Sequence, residues 1–353
     1  MNRRVRVLVV DDSAFMRAAI VRLLSADARF EIVGQARDGD EALRLTSELG
    51  PDVCTMDFNM PGLNGADTTR AILARRPTPI VMLSAHTREG ATATVQALAA
   101  GAVDFVAKPS GEVSANLSEI REELVAKLIA AAGARVATGS ALETSQALSP
   151  ERSAPRSARS APRSMPPGLR VVVIASSTGG PAALVRVVPD LRLGANAALV
   201  IVQHMPAGFT AALADQLSER APYRVREAKA GDRLDAGVAL VAPGGRHLVV
   251  NRSGIVALTD SPVVHGVRPA GDVTLKSVAQ SYGARAVGVV LTGMGKDGAL
   301  GLAAVRAAGG RTLAQNRDSS TVFGMPKAAV ELGVVDEVVP LDHVGRVITR
   351  LIG

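Results

Sequence analysis

Two serines and two glycines follow the apolar segment Val171–Ala175 in the sequence ASSTGGP. A short apolar run of this kind predicts a buried parallel strand that breaks into a tight turn and opens a helix. A serine in that turn stands at the carboxyl edge of the sheet, where open α/β folds place their sites. Turn amides and a helix N-terminus beside it can bind negative charge, so a nucleophile and part of an oxyanion hole could lie here.

A serine nucleophile needs a base, an orienting carboxylate and oxyanion donors. Two other predicted strand ends supply a histidine and an acid: His204 follows the strand Ala197–Val202, and Asp297 follows the strand Ala286–Leu291. Both side chains belong at the sheet edge that carries Ser177. The order Ser, His, Asp is compatible with a catalytic triad, because the roles depend on geometry and not on sequence order.

Each of these residues also has a structural interpretation. A serine in a turn commonly caps a helix, Asp297 could cap the helix after Gly298, and His204 could be a packed polar residue. The joint placement of the three favours catalysis. The remaining histidines lack a comparable strand-end setting and are predicted to be surface or structural residues: His86, His247, His265 and His343.

A strand, a glycine-containing turn and a helix also describe a nucleotide-binding fold. The segment SSTGGP lacks both G-x-G-x-x-G and G-x-x-x-x-G-K-[ST], and the next strand ends in Gln203-His204 instead of an acidic ribose ligand. No spacing of histidine and cysteine indicates zinc. Nucleotide and zinc sites are therefore disfavoured.

Polar groups also follow the strands predicted in the first half of the chain. Asp11 and Asp12 follow the first strand and Asp57 follows the third, while Ser84 ends the fourth and Lys108 follows the fifth. Carboxylates that converge at one sheet edge favour a hard divalent cation such as Mg²⁺. A hydroxyl and an ammonium beside them would complete a phosphoryl-binding site. Any one aspartate could merely solvate a loop, but five polar groups in step with five strands predict a site.

Short apolar runs alternate with amphipathic segments through the first part of the chain, which predicts a doubly wound α/β domain with a five-stranded parallel sheet. The predicted strands are Val5–Val10, Glu31–Ala36, Val53–Met56, Ile80–Leu83 and Val103–Val106. The predicted helices are Ala14–Ala26, Asp40–Leu49, Gly65–Arg75, Glu89–Ala100 and Val113–Ala131.

The same alternation resumes after Leu169 and predicts a second, mostly parallel, doubly wound α/β domain with a β-hairpin. The predicted strands are Arg170–Ala175, Ala197–Val202, Val238–Ala242, Ala286–Leu291, Thr312–Gln315 and Val334–Val339, with the hairpin at His247–Val250 and Ile255–Leu258. Helices should start near Gly180, Ala207, Asp272, Gly298, Met325 and His343. The predicted domain ranges are 1–130 and 170–353.

The segment 131–169 is rich in Ser, Ala, Pro and Arg and is predicted to be a flexible linker, because it has too few large apolar residues to offset its ordering entropy. Its Arg-Ser repeats are also compatible with an RNA-binding tract. From 133 to 169 it holds five arginines and two glutamates, +3 of the formal charge of +7, so the basicity is concentrated there. With 2% aromatic residues and no helix-turn-helix after the linker, nucleic-acid binding is disfavoured.

A hydrophobic content of 47% is enough for real cores, and no apolar run approaches a membrane span. The start MNRRVRVLVVDDS mimics a signal peptide, but its apolar run is short and meets two aspartates, so it is interpreted as a first strand. The single cysteine, Cys54, lies in an apolar run and is predicted to be buried in a strand. A cytoplasmic monomer without membrane insertion is expected.

Residues 3–125 resemble the receiver domain of two-component response regulators in the motifs VVDDS, MDFNMPGLNG, LSA and AKPS. The resemblance implies a flavodoxin-like fold with Asp57 as phosphoacceptor, Ser84 and Lys108 on the phosphoryl group, and Phe105 at the aromatic switch position. It also implies a Mg²⁺ site in which Asp11 acts partly through water. The residues implied for that site are Asp11, Asp12, Asp57 and the carbonyl of Asn59.

The whole chain resembles the CheB family of chemotaxis protein-glutamate methylesterases in ASSTGGP, VQHMP, APGGRHL and LTGMGKDGA. The resemblance implies Ser177 as nucleophile, His204 as general base and acid, and Asp297 as orienting carboxylate, with amides near Thr178 and Met294 in the oxyanion hole. It implies demethylation, and deamidation by the same machinery, on methyl-accepting chemotaxis receptors, without a cofactor for the hydrolysis. A chemotaxis histidine kinase would be the phosphodonor.

Two departures from the family pattern bear on these assignments. The family often has one serine where this chain has two, and Ser177 is preferred because it directly precedes Thr178-Gly179-Gly180. Val267 stands where the family often has a histidine, which leaves the triad intact but affects the expected substrate contacts. A non-catalytic binding module in the second half remains the alternative. The unphosphorylated receiver is expected to cover the catalytic cleft, unless the linker lets the two domains act independently.

Overall fold

The computed structural model describes residues 3–85, 87–108, 113–134 and 168–353. Most of the predicted linker 131–169 and His86 lie outside the described residues. Within these ranges, no helix combines the length and the apolar character that crossing a membrane requires.

Five parallel strands form the first sheet, in the spatial order β2-β1-β3-β4-β5. The strands are β1 (Val5–Val10), β2 (Phe30–Ala36), β3 (Val53–Asp57), β4 (Ile80–Ala85) and β5 (Asp104–Lys108). The helices are α1 (Ala14–Ser25), α2 (Gly39–Leu49), α3 (Gly65–Arg75), α4 (Arg88–Ala99) and α5 (Val113–Ala132). This order is flavodoxin-like and has its switch point between β1 and β3, so the carboxyl ends of those strands flank a crevice. The predicted fold of this half is confirmed.

Seven parallel strands form the second sheet, in the order β14-β13-β12-β6-β7-β9-β8. They are β6 (Arg170–Ser176), β7 (Ala197–Gln203), β8 (Val225–Glu227), β9 (Ala239–Val241), β12 (Ala286–Val290), β13 (Arg311–Gln315) and β14 (Glu337–Val339). The strands β10 (His247–Val250) and β11 (Val256–Thr259) pair separately as the predicted antiparallel hairpin. Later strands of the chain lie on both sides of β6, with β7 on one side and β12 on the other, so the switch point lies between β6 and β12.

Six helices cover this second sheet and begin close to the predicted positions. They are α6 (Gly180–Asp190), α7 (Phe209–Arg220), α8 (Gly271–Tyr282), α9 (Ala299–Ala307), α10 (Met325–Glu331) and α11 (Leu341–Ile352). The last strand starts later than predicted, because Thr312 and Asp336 bend the chain before Glu337 by exchanging hydrogen bonds: the Thr312 amide donates to Asp336 Oδ2 at 2.9 Å and the Asp336 amide to Thr312 Oγ1 at 3.0 Å.

The two halves contact each other through β5 and through α4. The buried ring of Phe105 in β5 stacks on Phe209 at the start of α7, with ring centroids 4.5 Å apart. Helix α4 also packs against α6 and α7. The start of β5 therefore lies beside the segment that joins β6 to α6.

Candidate active site

The turn between β6 and α6 exposes one of the two serines and buries the other. Ser176 is fully buried, and its hydroxyl donates to Gln203 Oε1 at 2.7 Å. Ser177 is half-buried. Of the two serines, Ser177 is therefore the partly exposed one, and it is the one preferred as nucleophile in the sequence analysis.

Two glycines allow the chain to close around Ser177. Gly179 has φ +77°, and a Cβ there would lie 2.6 Å from Thr321 Cβ. A Cβ on Gly293, which follows β12, would lie 2.7 Å from Ser177 Cβ. Only glycine fits these positions without displacement, so the loop after β12 can approach the serine closely.

His204 lies opposite Ser177 because β6 and β7 are in register. Ser176 pairs with Gln203, and the His204 amide donates to the Ser176 carbonyl at 3.1 Å. The His204 Nε2 atom makes a 2.7 Å hydrogen bond to Asp297 Oδ2, and both side chains are buried. This bond uses Nε2, so Nδ1 is the ring nitrogen left to serve as a base.

The N-terminus of α8 holds the Asp297 carboxylate. The Gly271 amide donates to Oδ2 at 2.5 Å and the Asp272 amide donates to Oδ1 at 2.9 Å. Burial alone would raise the pKa of Asp297, but its hydrogen bond and charge interaction with His204, with these two amides, hold that pKa below its ordinary value. The carboxylate thus stays ionised and can orient the imidazole.

Two backbone amides beside Ser177 donate to no acceptor among the residues that the structure describes, those of Thr178 and Met294. The neighbouring amide of Ser177 donates to the Thr292 carbonyl at 3.0 Å, and that of Gly293 donates to Val322 at 3.0 Å. An unpaired amide close to a nucleophile is what an oxyanion hole requires. The family resemblance implied amides near these two residues for the oxyanion hole, and that role stays a prediction.

The receiver half contacts this turn directly. Thr178 Oγ1 donates to Asp104 Oδ2, and the Gly179 amide donates to the Val103 carbonyl at 2.9 Å. Asp104 also pairs with Lys127 of α5 at 3.2 Å. Burial alone would lower the pKa of Lys127, but the charges of Asp104 and Glu123 raise it. Lys127 therefore stays charged beside Asp104, the first residue of β5.

The carboxyl ends of β1 and β3 bring together the predicted phosphoryl-site residues. Carboxylate oxygens of Asp11, Asp12 and Asp57 lie within 4.8 Å of one another. Lys108 Nζ contacts Asp11 Oδ2 at 2.9 Å and Asp57 Oδ1 at 2.8 Å. Burial raises the pKa of Asp57 although Lys108 opposes the shift. Burial alone would lower the pKa of Lys108, but Asp57 and Asp11 raise it.

Ser84 and Asn59 were also implied for this site. The Ser84 hydroxyl is turned to α4, where it donates to the Gly90 carbonyl at 3.1 Å and contacts Thr94 Oγ1. Asn59 is exposed two residues after Asp57. The structure therefore brings Asp11, Asp12, Asp57 and Lys108 together, while the Ser84 hydroxyl bonds to a helix.

Two acids near the site were not singled out from the sequence. Asp104 contacts Thr178, in the turn that carries Ser177, across 74 residues of chain, and no local motif marks it. Asp272, in the second position of α8, is buried beside Asp297. An acid directly after the segment RPAG, at a predicted helix start, was the available signal for it.

Comparisons with known proteins agree with both sheets. Residues 172–348 match the family described as CheB methylesterase, and residues 7–118 match the response regulator receiver domain. A protein-glutamate methylesterase/protein-glutamine glutaminase of Symbiobacterium thermophilum is 51% identical, with 100% of this chain and 98% of the relative covered. One of the same name from Pyrococcus horikoshii is 42% identical, covering 100% and 95%.

A solved structure resembles the second half. The crystal structure of the Thermotoga maritima CheB methylesterase catalytic domain is 40% identical, covers 52% of this chain and 98% of that one, and superposes with a TM-score of 0.50. The full-length relatives and the two family matches agree with a receiver domain followed by a methylesterase domain. The chain therefore belongs to the CheB family of chemotaxis methylesterases, hydrolases that carry a response regulator receiver domain.

Proposed function

We propose that the chain is a cytoplasmic serine hydrolase that demethylates glutamate methyl esters, and deamidates glutamines, on methyl-accepting chemotaxis receptors. The observation that carries this proposal is the 2.7 Å bond between His204 and Asp297 at the strand end next to Ser177. The names of the full-length relatives support the choice of glutamate methyl ester and glutamine as substrates.

The first half of the reaction forms an acyl-enzyme. His204 Nδ1 takes the hydroxyl proton as Ser177 Oγ attacks the ester carbonyl carbon, and the amides of Thr178 and Met294 bind the resulting oxyanion. The tetrahedral intermediate collapses, the bond to the methoxy oxygen breaks, and the imidazolium returns the proton to the leaving methanol. Asp297 stabilises the imidazolium throughout.

The second half of the reaction regenerates the serine. A water attacks the acyl carbon while His204 takes one of its protons, and the bond to Ser177 Oγ then breaks as that proton passes to it. The product is a glutamate side chain. For a glutamine substrate, the same steps release ammonia in place of methanol.

The receiver half supplies the regulation in this proposal. Asp57 is the phosphoacceptor for a chemotaxis histidine kinase. Three carboxylates converge at this site and Lys108 pairs with two of them, so the remaining negative charge and the oxygen ligands fit Mg²⁺ held by Asp11, Asp12 and Asp57 with the Asn59 carbonyl. When bound, Mg²⁺ offsets negative charge at the phosphoryl group. Lys108 holds that group and, in the phosphorylated form, the Ser84 hydroxyl turns to it.

Phosphorylation raises the hydrolytic rate by weakening the contact between the start of β5 and residues 177–179, the turn that carries the nucleophile. In the unphosphorylated chain, Asp104 and Val103 bind the side chain of Thr178 and the amide of Gly179. A phosphoryl group shifts activity only if it stabilises the two arrangements differently. The link is β5, since Lys108 at its end contacts Asp57.

The test is methanol release from methylated chemoreceptor membranes by the phosphorylated chain, with Ser177→Ala and Ser176→Ala assayed beside it. We expect Ser177→Ala to lower kcat by a factor on the order of 10⁶, as in other serine hydrolases. Ser176→Ala should retain methanol release, because the hydroxyl of Ser176 is buried and hydrogen-bonded to Gln203. Loss of release only in Ser176→Ala would place the nucleophile one residue earlier, and no release from the wild type would refute the esterase.

A further inference from the structure

A second histidine–carboxylate pair lies next to His204 and Asp297. His265 Nε2 donates to Asp272 Oδ2 at 2.9 Å. The Asp272 side chain is 1% exposed and that of His265 is 21% exposed. A ring nitrogen of His265 and carboxylate oxygens of Asp272 and Asp297 lie within 4.8 Å of one another. Two carboxylates this close repel each other, so their donors decide where each one sits.

The two carboxylates tie α8 and α9 together in a reciprocal way. Asp297 precedes α9 and accepts from the first two amides of α8. Asp272 lies in the first turn of α8, and its Oδ1 accepts from the Gly301 amide of α9 at 2.6 Å. The position of Asp272 therefore sets the position of the amides that hold Asp297.

His265 reaches Asp272 from a strained turn. Val264 and Val267 exchange backbone hydrogen bonds of 3.1 and 3.0 Å around His265 and Gly266. His265 has φ +54°, and across the described parts of the chain it is the one non-glycine residue with a positive φ. The left-handed conformation is unfavourable for a residue that has a Cβ atom, so the surroundings of His265 must hold it.

The ends of the same loop are anchored. The buried His247 accepts from the Ala270 amide at 3.2 Å through Nδ1 and bonds to the Pro262 carbonyl at 3.1 Å through Nε2. Arg268 donates to the carbonyls of Asp260 and Ser261 at 2.8 and 3.0 Å. These bonds fix the loop on both sides of the turn, so the imidazole of His265 is directed at Asp272.

We propose that His265 is a positioning residue for the hydrolysis, acting through Asp272 on Asp297; this inference rests on the proposed function. Its N–H fixes the buried oxygen of Asp272 that Gly301 does not bind. Without that donor, Asp272 moves away from Asp297 to relieve the repulsion, and the Asp272 amide moves with it. Asp297 then orients His204 less well, which lowers kcat and leaves substrate binding unchanged.

The test uses the full phosphorylated chain and two substitutions that separate the hydrogen bond from the turn. His265→Asn keeps the turn, because Asn is favoured in the left-handed region, but its amide is too short to replace Nε2. His265→Gln carries an amide nitrogen about as far from the backbone as Nε2. We expect His265→Asn to lower kcat by about 10- to 100-fold, the size of effect that a small misplacement produces, with KM unchanged, and His265→Gln to recover most of it.

A second readout does not depend on turnover. The imidazole N–H signal of His204 in ¹⁵N-labelled protein reports its bond to Asp297, and we expect it to shift in His265→Asn and to return in His265→Gln. His343→Asn and His343→Gln, at an exposed position in α11, are the matched controls and should leave both readouts unchanged.

The outcomes separate the inference from the proposed function. If the wild type releases methanol and His265→Asn matches it in kcat and in the His204 signal, the positioning role is wrong. If Asn and Gln are impaired equally, or Gln more than Asn, the turn and not the hydrogen bond matters, and the role is again wrong. If the His204 signal shifts as expected but the wild type releases no methanol, the esterase proposal fails and the role in catalysis falls with it.

Discussion

At the scale of single residues, the first prediction concerns the charge of Asp297, which contacts His204. We expect Asp297→Asn to lower kcat by a factor on the order of 10⁴, because an amide cannot hold the imidazole in the required tautomer or stabilise its charged form. The measurement is kcat for methanol release, with the folded state checked by circular dichroism. A kcat within tenfold of the wild type would argue against the assigned orienting role.

The same carboxylate makes a separate prediction about pH. Because the pKa of Asp297 is lowered in the folded chain, its stabilising contribution is present above the ordinary aspartate pKa of 3.8 and is lost as the pH falls through the lowered value. The gap in free energy of unfolding between the wild type and Asp297→Asn should therefore be present at about pH 5.5 and should narrow below about pH 4. Urea titrations at several pH values between about 5.5 and 3 measure this gap, and a gap that widens as the pH falls through that range would contradict the lowered pKa.

Cys54 offers a test of burial at one atom. The thiol is fully buried in β3, and burial raises its pKa to about 12, so little thiolate is present at neutral pH. We expect no measurable reaction with a thiol reagent in the folded chain and stoichiometric reaction in denaturant. Because Cys54 is the single cysteine, the absorbance of the thiol that the reagent releases measures the reaction of Cys54 alone. Rapid labelling under native conditions would contradict this burial.

Sequence reasoning found the residues that sit at strand ends and missed those placed by tertiary packing. Ser177, His204 and Asp297 each follow an apolar run, so their convergence was predictable from the sheet alone. Asp104 and His265 were not identified. The contact of Asp104 depends on how two domains pack, and that of His265 depends on a left-handed turn, for which the sequence holds only the dipeptide His-Gly.

At the scale of elements, the close approach of the loop after β12 to the turn that carries Ser177 depends on Gly293. We expect Gly293→Ala to lower kcat and to cost about 1–3 kcal/mol of stability, because the added methyl group would meet Met325 Sδ and lie 2.7 Å from Ser177 Cβ. Gly310→Ala is the control, since its methyl group would lie 2.5 Å from the Ala286 carbonyl oxygen at the opposite edge of the sheet. Gly310→Ala should lose similar stability and keep the kcat of the wild type. Equal losses of kcat in both variants would show that the loss follows from lower stability and not from the contact with Ser177.

Most strands were predicted correctly, because a buried parallel strand appears in the sequence as a continuous apolar run. The strand β8 (Val225–Glu227) was missed, since it has three residues, lies at the sheet edge and has charged neighbours that resemble a loop. The strand β14 was predicted three residues too early, because Val334 and Val335 extend the apolar run while Asp336 bends the chain. Short edge elements depend on partners that are distant in sequence.

At the scale of the whole molecule, β5 joins the two sites. Lys108 at its end contacts Asp57, and Asp104 at its start contacts Thr178, about 13 Å away by the rise of a strand. Phe105 lies between them and stacks on Phe209. A displacement of this strand would act at both sites together.

This arrangement predicts that Asp104→Ala raises the hydrolytic rate of the unphosphorylated chain. We expect an increase on the order of tenfold, because a hydrogen bond to a charged group contributes about 1.5–3 kcal/mol. Glu123→Ala is the matched control: Glu123 also pairs with Lys127, but its carboxylate makes no contact with the catalytic half among the described residues. If both variants behave alike, the effect belongs to Lys127 and not to the contact with Thr178.

The position of Thr178 has one more consequence. It is the neighbour of Ser177 and one of the points where the receiver half contacts this turn, so under the proposed function the reactivity of Ser177 would follow the phosphorylation of Asp57. A fluorophosphonate probe that captures active serines covalently would then label this protein at a rate set by signalling. The fraction labelled in a growing culture would accumulate over time, as a record of how long the pathway had been switched on.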